Sequence, residues 1–112
     1  MATVDEIYQE AEKLKDEGKL EESIEKLVGL LSQDETHCLS HLALAVLYGR
    51  VGKHEDAIRH GQRACELDPK DPFNFTAMSV TFQRAWQGTQ NPEYIQLAEN
   101  AMAQAHMLQG HT

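Results

Sequence analysis

The sequence is short of several things at once. Two cysteines, Cys38 and Cys65, cannot build a disulfide framework. Such thiol usage makes an intracellular, cytoplasmic compartment the default expectation. The longest unbroken apolar run, residues 42–48, falls far short of the ~18 residues that a membrane span needs. The opening MATVDEIYQE has neither the basic n-region nor the apolar h-region of a signal peptide. Basic charge is scarce, with 10 Lys and Arg against 18 Asp and Glu and a net charge of −8. That balance lacks the footprint of a non-specific nucleic-acid binder and works against docking on anionic lipid. Neither nucleic acid nor membrane is expected as a partner. No Pro/Gly/Ser-rich linker divides the chain, so one domain over residues 1–112 is expected. The acids are unevenly spread: residues 1–35 hold 11 of them against 4 bases, so one end of the molecule is strongly acidic.

Strand signals are also missing, with no alternating Val/Ile/Thr run and no Asn-Gly hairpin turn. Helical spacing is present throughout. Val4, Ile7, Ala11 and Leu14 form one stripe, opened by the capping-box pair Thr3 and Glu6 and punctuated by Gly18. Ile24, Leu27, Leu30 and Leu31 form a second. A third helix over about 36–50 contains HLALAVLYGR, apolar without a polar back, and ends at Gly52. A fourth carries Ala57, Ile58, Ala64 and Leu67 and stops before Pro69. Asp71-Pro72 opens a fifth, running to about Trp86, with QGTQ read as a loop. Asn91-Pro92 opens a sixth through Leu108.

GKLEESIEKL from Gly18 and GKHEDAIRHG from Gly52 match in step at an offset of 34 residues. The middle unit offers His41, Leu44, Ala45 and Tyr48, then Gly52, Ala57, Gly61, Ala64 and Pro69. In period and pattern this resembles the tetratricopeptide repeat. Three repeats are read, about 4–37, 38–71 and 72–110, the third carrying about seven extra residues around GTQNPEY that lengthen the loop or helix six. His41 and Gly61 depart from the usual bulk, which predicts a local gap or a filling side chain from a neighbouring helix. The resemblance implies an all-α, right-handed superhelix of three helix-turn-helix hairpins, six helices in all. It also explains the all-apolar third helix, which is flanked by hairpins on both sides.

By the repeat register, the side of the superhelix left for a peptide or protein partner carries Leu39, Leu42 and Val46, matched by Phe73, Thr76 and Val80. One turn further, Arg50 and Arg84 match each other. The first repeat contributes Tyr8 between Asp5 and Glu12. The expected function is non-catalytic: an adaptor or scaffold whose concave groove holds an apolar or amphipathic segment, with an acidic group for an arginine. The simpler account of the apolar surface is core, or a face covered by the chain itself or by a second copy. Some members of the family clamp the C-terminal carboxylate of heat-shock chaperones with Lys, Asn and Arg. The matching positions here are Tyr8, Glu12, Ala43, Phe73 and Ala77, which lack cationic or amide donors.

Enzyme chemistry finds little purchase. His37 and His41 are spaced i, i+4 beside Cys38, but zinc wants a fuller ligand set. No C-x-x-C, H-E-x-x-H or P-loop spacing occurs. A Cys38–His41 nucleophile pair lacks an orienting carboxylate, and Cys65 reads as a small buried hydrophobe. No cofactor and no metal site is expected. The last helix leaves Ile95, Met102 and Met107 without an expected cover, so the alternative is a homo-oligomer, either through the groove or as a homodimer through this end.

Overall fold

A computed structural model describes residues 2–110. Six helices follow one another: α1 (Val4–Asp16), α2 (Leu20–Gln33), α3 (Cys38–Arg50), α4 (His54–Leu67), α5 (Pro72–Thr89) and α6 (Glu93–Leu108), with no strand among the described residues. The most extensive packing is within the pairs α1·α2, α3·α4 and α5·α6. The pairs are joined through α2·α3, α4·α5 and α3·α5.

Local chemistry sets the boundaries. At the start of α1, Glu6 N–H donates to Thr3 Oγ1 (3.1 Å) and Thr3 N–H to Glu6 Oε1 (2.8 Å), the reciprocal box that the sequence predicts. Asp71 Oδ1 accepts from Phe73 N–H (3.0 Å) ahead of Pro72. α3 starts at Cys38 rather than near 36, because Asp34 Oδ1 holds both the N–H and the hydroxyl of Thr36 in a turn of its own. The α1–α2 and α3–α4 turns reverse on Gly18 (φ 81°) and Gly52 (φ 83°), a left-handed conformation that costs glycine no Cβ clash.

The third hairpin departs from the sequence reading. The extra residues neither lengthen the loop nor go mainly to helix six. α5 runs on through Thr89 to 18 residues, against 13 for α3, so most of QGTQ is helix. The turn is residues 90–92, as short as the other two. Two features carry α5 past Trp86. Gly88, lacking a Cβ, lets the added turn pass directly against the His54 ring at the start of α4. Gln90 then takes the left-handed position (φ 62°) that glycine fills in the other turns. Asn91 Oδ1 accepts from Glu93 N–H (3.0 Å), which restarts the chain as α6.

The core falls into two clusters. Ala11, Ile24, Leu27, Leu30, Leu44 and Leu47 pack between the first and middle hairpins; Met78, Phe82, Ala98 and Ala101 pack in the last. Between the clusters lie the buried small residues Ala45, Ala57, Gly61 and Ala64. Both departures from repeat bulk are filled by neighbours. A Cβ on Gly61 would stand 2.7 Å from Met78 Sδ, so the Met78 side chain of α5 occupies the space that Gly61 leaves. His41 is met by His60 of α4. Three buried side chains tie off main-chain carbonyls between helices: Ser23 to Ala11 O (2.7 Å), Ser79 to Ala98 O (2.9 Å), and Asn74 to Ala64 O and Asp68 O (3.3 and 3.1 Å). HLALAVLYGR is apolar on every side because every side is used. Leu44, Ala45 and Leu47 are buried, and Leu42, Ala43, Val46 and Tyr48 are half-buried.

The Gly61–Met78 fit is testable by a double-mutant cycle in urea unfolding. Gly61→Leu alone overpacks the seam and is expected to destabilise by ~1–3 kcal/mol. Met78→Ala alone leaves a void and costs ~2–5 kcal/mol. Together they should cost clearly less than the sum, since the new Leu fills the void; additivity within ~0.5 kcal/mol would show that the two residues do not share one space.

Candidate functional site

α3 and α5 pack side by side, so the positions paired by the repeat register fall on one face of the molecule. Leu39 and Phe73, in the first turns of the two helices, are 55% and 61% exposed, and Val80 is also exposed. Leu42, Val46 and Thr76 are half-buried between them. The Thr76 hydroxyl donates back to Pro72 O (3.2 Å). At the C-terminal ends, Arg84 lays its stem against Gly49, the residue before Arg50; a Cβ there would lie 3.6 Å from Arg84 Cδ. Arg59 is paired with Asp56, and Arg63 with Glu35 and Glu66. Among the described residues, Arg50 and Arg84 have no carboxylate within ion-pair distance. The face therefore runs from exposed apolar side chains to two arginines whose charge is not neutralised internally.

Tyr8 stands apart from this set. α1 joins the stack through α2, and Tyr8 reaches the start of α3 by resting on the His37 ring (centroids 5.5 Å, 56°). Burial, and then the nearby Glu12 carboxylate, push its phenol above the ordinary tyrosine range, so it stays a neutral donor. Glu12 is itself paired with Lys15 (3.0 Å). Of the clamp positions named above, Ala43 and Ala77 are half-buried and Phe73 projects outward, so none presents a cationic or amide donor.

The opposite side, formed by α2, α4 and α6, holds features that sequence reasoning did not single out as sites. These helices do not pack extensively on one another, and two repeat-equivalent clefts open between them. The α4–α6 cleft, 590 Å³, is floored by Phe75, Met78 and Phe82. The α2–α4 cleft, 470 Å³, has His41 and Tyr48 at the equivalent places. His41 Nε2 lies 2.8 Å from Glu35 O, and a carbonyl can only accept, so Nε2 carries the proton. His41 Nδ1 then accepts from His60 Nδ1 at 3.0 Å. His60 stacks on Tyr48 (5.6 Å, 16°). Burial, His41 and Arg59 together lower its pKa to about 4, so His60 is neutral at pH 7. Arg63 clasps Glu35 through two nitrogens (2.6 and 2.8 Å), joining α4 to the end of the first hairpin and holding the Glu35 carboxyl below its usual range. The only sequence signal for this network was the odd histidine at a bulky repeat position.

The His37, Cys38 and His41 side chains turn to different partners. His37 Nδ1 meets Ser40 Oγ (2.7 Å), Cys38 Sγ faces Ala64 O (3.8 Å), and His41 enters the cleft. Burial raises the Cys38 thiol pKa, and burial with Cys38 beside it pushes Cys65 up to about 11; neither is a ready thiolate. Among the described residues no group of three or more His, Cys, Asp or Glu is placed to hold a metal ion, and no helix is long and apolar enough to cross a membrane.

No known family profile and no curated protein matches the sequence. Solved structures do match. The second tetratricopeptide domain of Spaghetti (RPAP3), bound to the HSP90 peptide SRMEEVD, superposes with a TM-score of 0.76 over 94% of this chain and 91% of that one, at 20% identity. This chain has the tetratricopeptide-repeat fold. The Yersinia enterocolitica type III secretion translocator chaperone SycD shares that fold. It matches as an alternative dimer (TM-score 0.63, 17% identity, 96% and 92% covered) and in complex with a peptide of the translocator YopD (0.62, 17%, 94% and 91%). The expected all-α, right-handed arrangement of three hairpins is thus the one observed.

The half-buried His60 predicts a pH dependence of stability. The folded pKa of His60, about 4, lies below its ordinary 6.5, so protonation favours the unfolded chain. The stability it contributes is present above pH 6.5 and is lost as pH falls toward 4. The urea midpoint is expected to drop between pH 6.5 and about 5, before most carboxylates titrate. His60→Phe keeps the ring against Tyr48 and should flatten that segment of the profile; an unchanged slope would exclude His60 as its source.

Proposed function

We propose that the chain is a non-catalytic protein-interaction module, a small adaptor or scaffold that holds a partner's peptide segment against the groove formed by α3 and α5. One observation carries the reading: Leu39, Phe73 and Val80 stand exposed on a single face, bounded by Arg50 and Arg84, which have no carboxylate partner among the described residues. Exposed apolar side chains sharing one face with two arginines suit the surface of a binder. Both likenesses support it in coarse form, since the RPAP3 domain is bound to a peptide and SycD is seen with one. The ligand need not be the same. Tyr8, Glu12, Ala43, Phe73 and Ala77 offer no carboxylate clamp, so the chain suits an apolar or amphipathic segment with an acidic group at the Arg50–Arg84 end. Tyr8 then forms the far wall. Such an adaptor belongs in the cytoplasm, where its two free cysteines remain reduced. A second reading, assembly with another copy of the chain, draws on SycD, which matches as a dimer.

Phe73→Asp with Val80→Asp changes two exposed side chains and should leave helicity intact. It is expected to weaken partner capture from native lysate, or the measured Kd for the captured segment, by ~30-fold or more, as loss of a central anchor does. Arg50→Ala with Arg84→Ala should reduce the salt dependence of the same Kd. Undiminished binding by the folded Phe73/Val80 variant would show that the groove is not the site.

A further inference from the structure

We propose that the cleft between α5 and α6 is a second binding face, which takes an amphipathic helix of a partner protein carrying a lysine or arginine for Glu99. It does not rest on the groove of α3 and α5. The cleft has a volume of 400 Å³, and Trp86, Ile95, Met102 and Glu99 line it. The same face of the other two hairpins is occupied in this molecule. α3 packs on α2, and α5 packs on α4. Ile24 lies in the leucine cluster with Leu44 and Leu47 of α3, and Ile58 packs on the cluster of Met78 and Phe82 of α5. Each hairpin thus receives one helix on this face, and the last hairpin offers the same face with Ile95 40% exposed.

The repeat register says what differs there. With the extra residues of the last hairpin counted, Ala57 matches Ala98 and Ala64 matches Ala105, and all four are buried. In that register Leu27, Gly61 and Met102 share one position, and Ile24, Ile58 and Glu99 share another. The two isoleucines beneath α3 and α5 are therefore replaced by a carboxylate at the free face. Glu99 is exposed and, among the described residues, takes part in no ion pair. The other polar groups of the cleft are satisfied: Ser79 donates to Ala98 O (2.9 Å) and Gln83 to Ser79 Oγ (3.2 Å). From residue 72 onward the only Lys or Arg is Arg84, whose stem lies on Gly49. A purely apolar helix laid over the cleft would strip water from Glu99 and leave its charge without a partner, which is costly. A helix with one basic residue in its apolar stripe removes that cost, and Trp86 supplies an aromatic surface in the same cleft for the cation. A second copy brings the same carboxylate and a net charge of −8 instead of a counter-charge.

The test is titration of the full chain with a helical peptide of ~18 residues, long enough to hold a helix, built from leucine, alanine and lysine with one lysine inside the apolar stripe. Trp86 is the sole tryptophan, so its fluorescence reports on this face. A saturable blue shift is expected. Glu99→Gln should raise the peptide Kd at least ~10-fold. Glu21→Gln removes the same charge from an exposed position of α2 and should leave the Kd unchanged. Glu99→Lys should reverse the preference, toward the peptide with glutamate in place of the stripe lysine. Equal losses in the Glu99→Gln and Glu21→Gln variants would mean attraction to overall charge and overturn the site. Binding lost in Phe73→Asp/Val80→Asp but kept in Glu99→Gln puts the peptide in the groove and overturns this face alone. A Trp86 shift that grows with chain concentration in the absence of peptide gives the face to a second copy and overturns the choice of occupant. No shift up to ~1 mM peptide, the weak end of specific association, overturns the proposal outright.

Discussion

The arrangement of the molecule depends on how closely α5 can approach the middle hairpin. That distance is set at Gly61, where the absence of a side chain admits Met78. The packing is steric and unforgiving, since interiors are filled at near-crystalline density and a void or an extra carbon is felt at once. Because Met78 seats α5 here, α3 and α5 lie side by side, and residues 34 apart in sequence come to share one face. The apolar row from Leu39 to Val80 and the adjacent Arg50 and Arg84 follow from that seating. The same approach brings Gly88 over His54, which is why the longer α5 can run past the turn without colliding with α4.

Much of this was legible in the residues because the repeat is written in small side chains and caps. The 34-residue echo of GKLEES in GKHEDA marks two turns, and Gly18 and Gly52 reverse the chain at both. Thr3, Asp71 and Asn91 each serve as a cap. The end of α5 was not legible for a physical reason. The third turn reverses on Gln90, a residue that seldom adopts φ 62°, while Gly88, the residue that looks like a turn glycine, lies inside the helix. Glycine was needed there for space, not for conformation, and sequence alone does not separate those two uses.

Candidate binding residues were legible to the extent that register dictates direction. The α3 and α5 positions could be named because one helix repeats the other. Exposure could not be foreseen, since it depends on which neighbours arrive: Leu39 stands half open while Leu42, one turn on, is partly covered. The network of His41, His60, Glu35 and Arg63 was out of reach for the same reason, as it is assembled across two helices and the loop before α3 from residues up to 28 apart. It also shows two solutions to one problem. Where the last two hairpins meet, the cleft is floored with Phe75, Met78 and Phe82; where the first two meet, it is floored with an aromatic and two histidines bridged to an ion pair.

The divided core has a mechanical consequence. The side chains beneath α3 belong partly to the leucine cluster shared with the first hairpin, whereas α5 is held by the methionine–phenylalanine cluster of the last. α1 joins the stack through α2, through Ala11 in the leucine cluster, and through the edge contact of Tyr8 with His37. The first and last hairpins are therefore seated on the middle one by different means, leucine side chains at one seam and the Met78–Gly61 fit at the other. Loss of packing in one cluster loosens its own seam first, so the two ends of the stack can part independently.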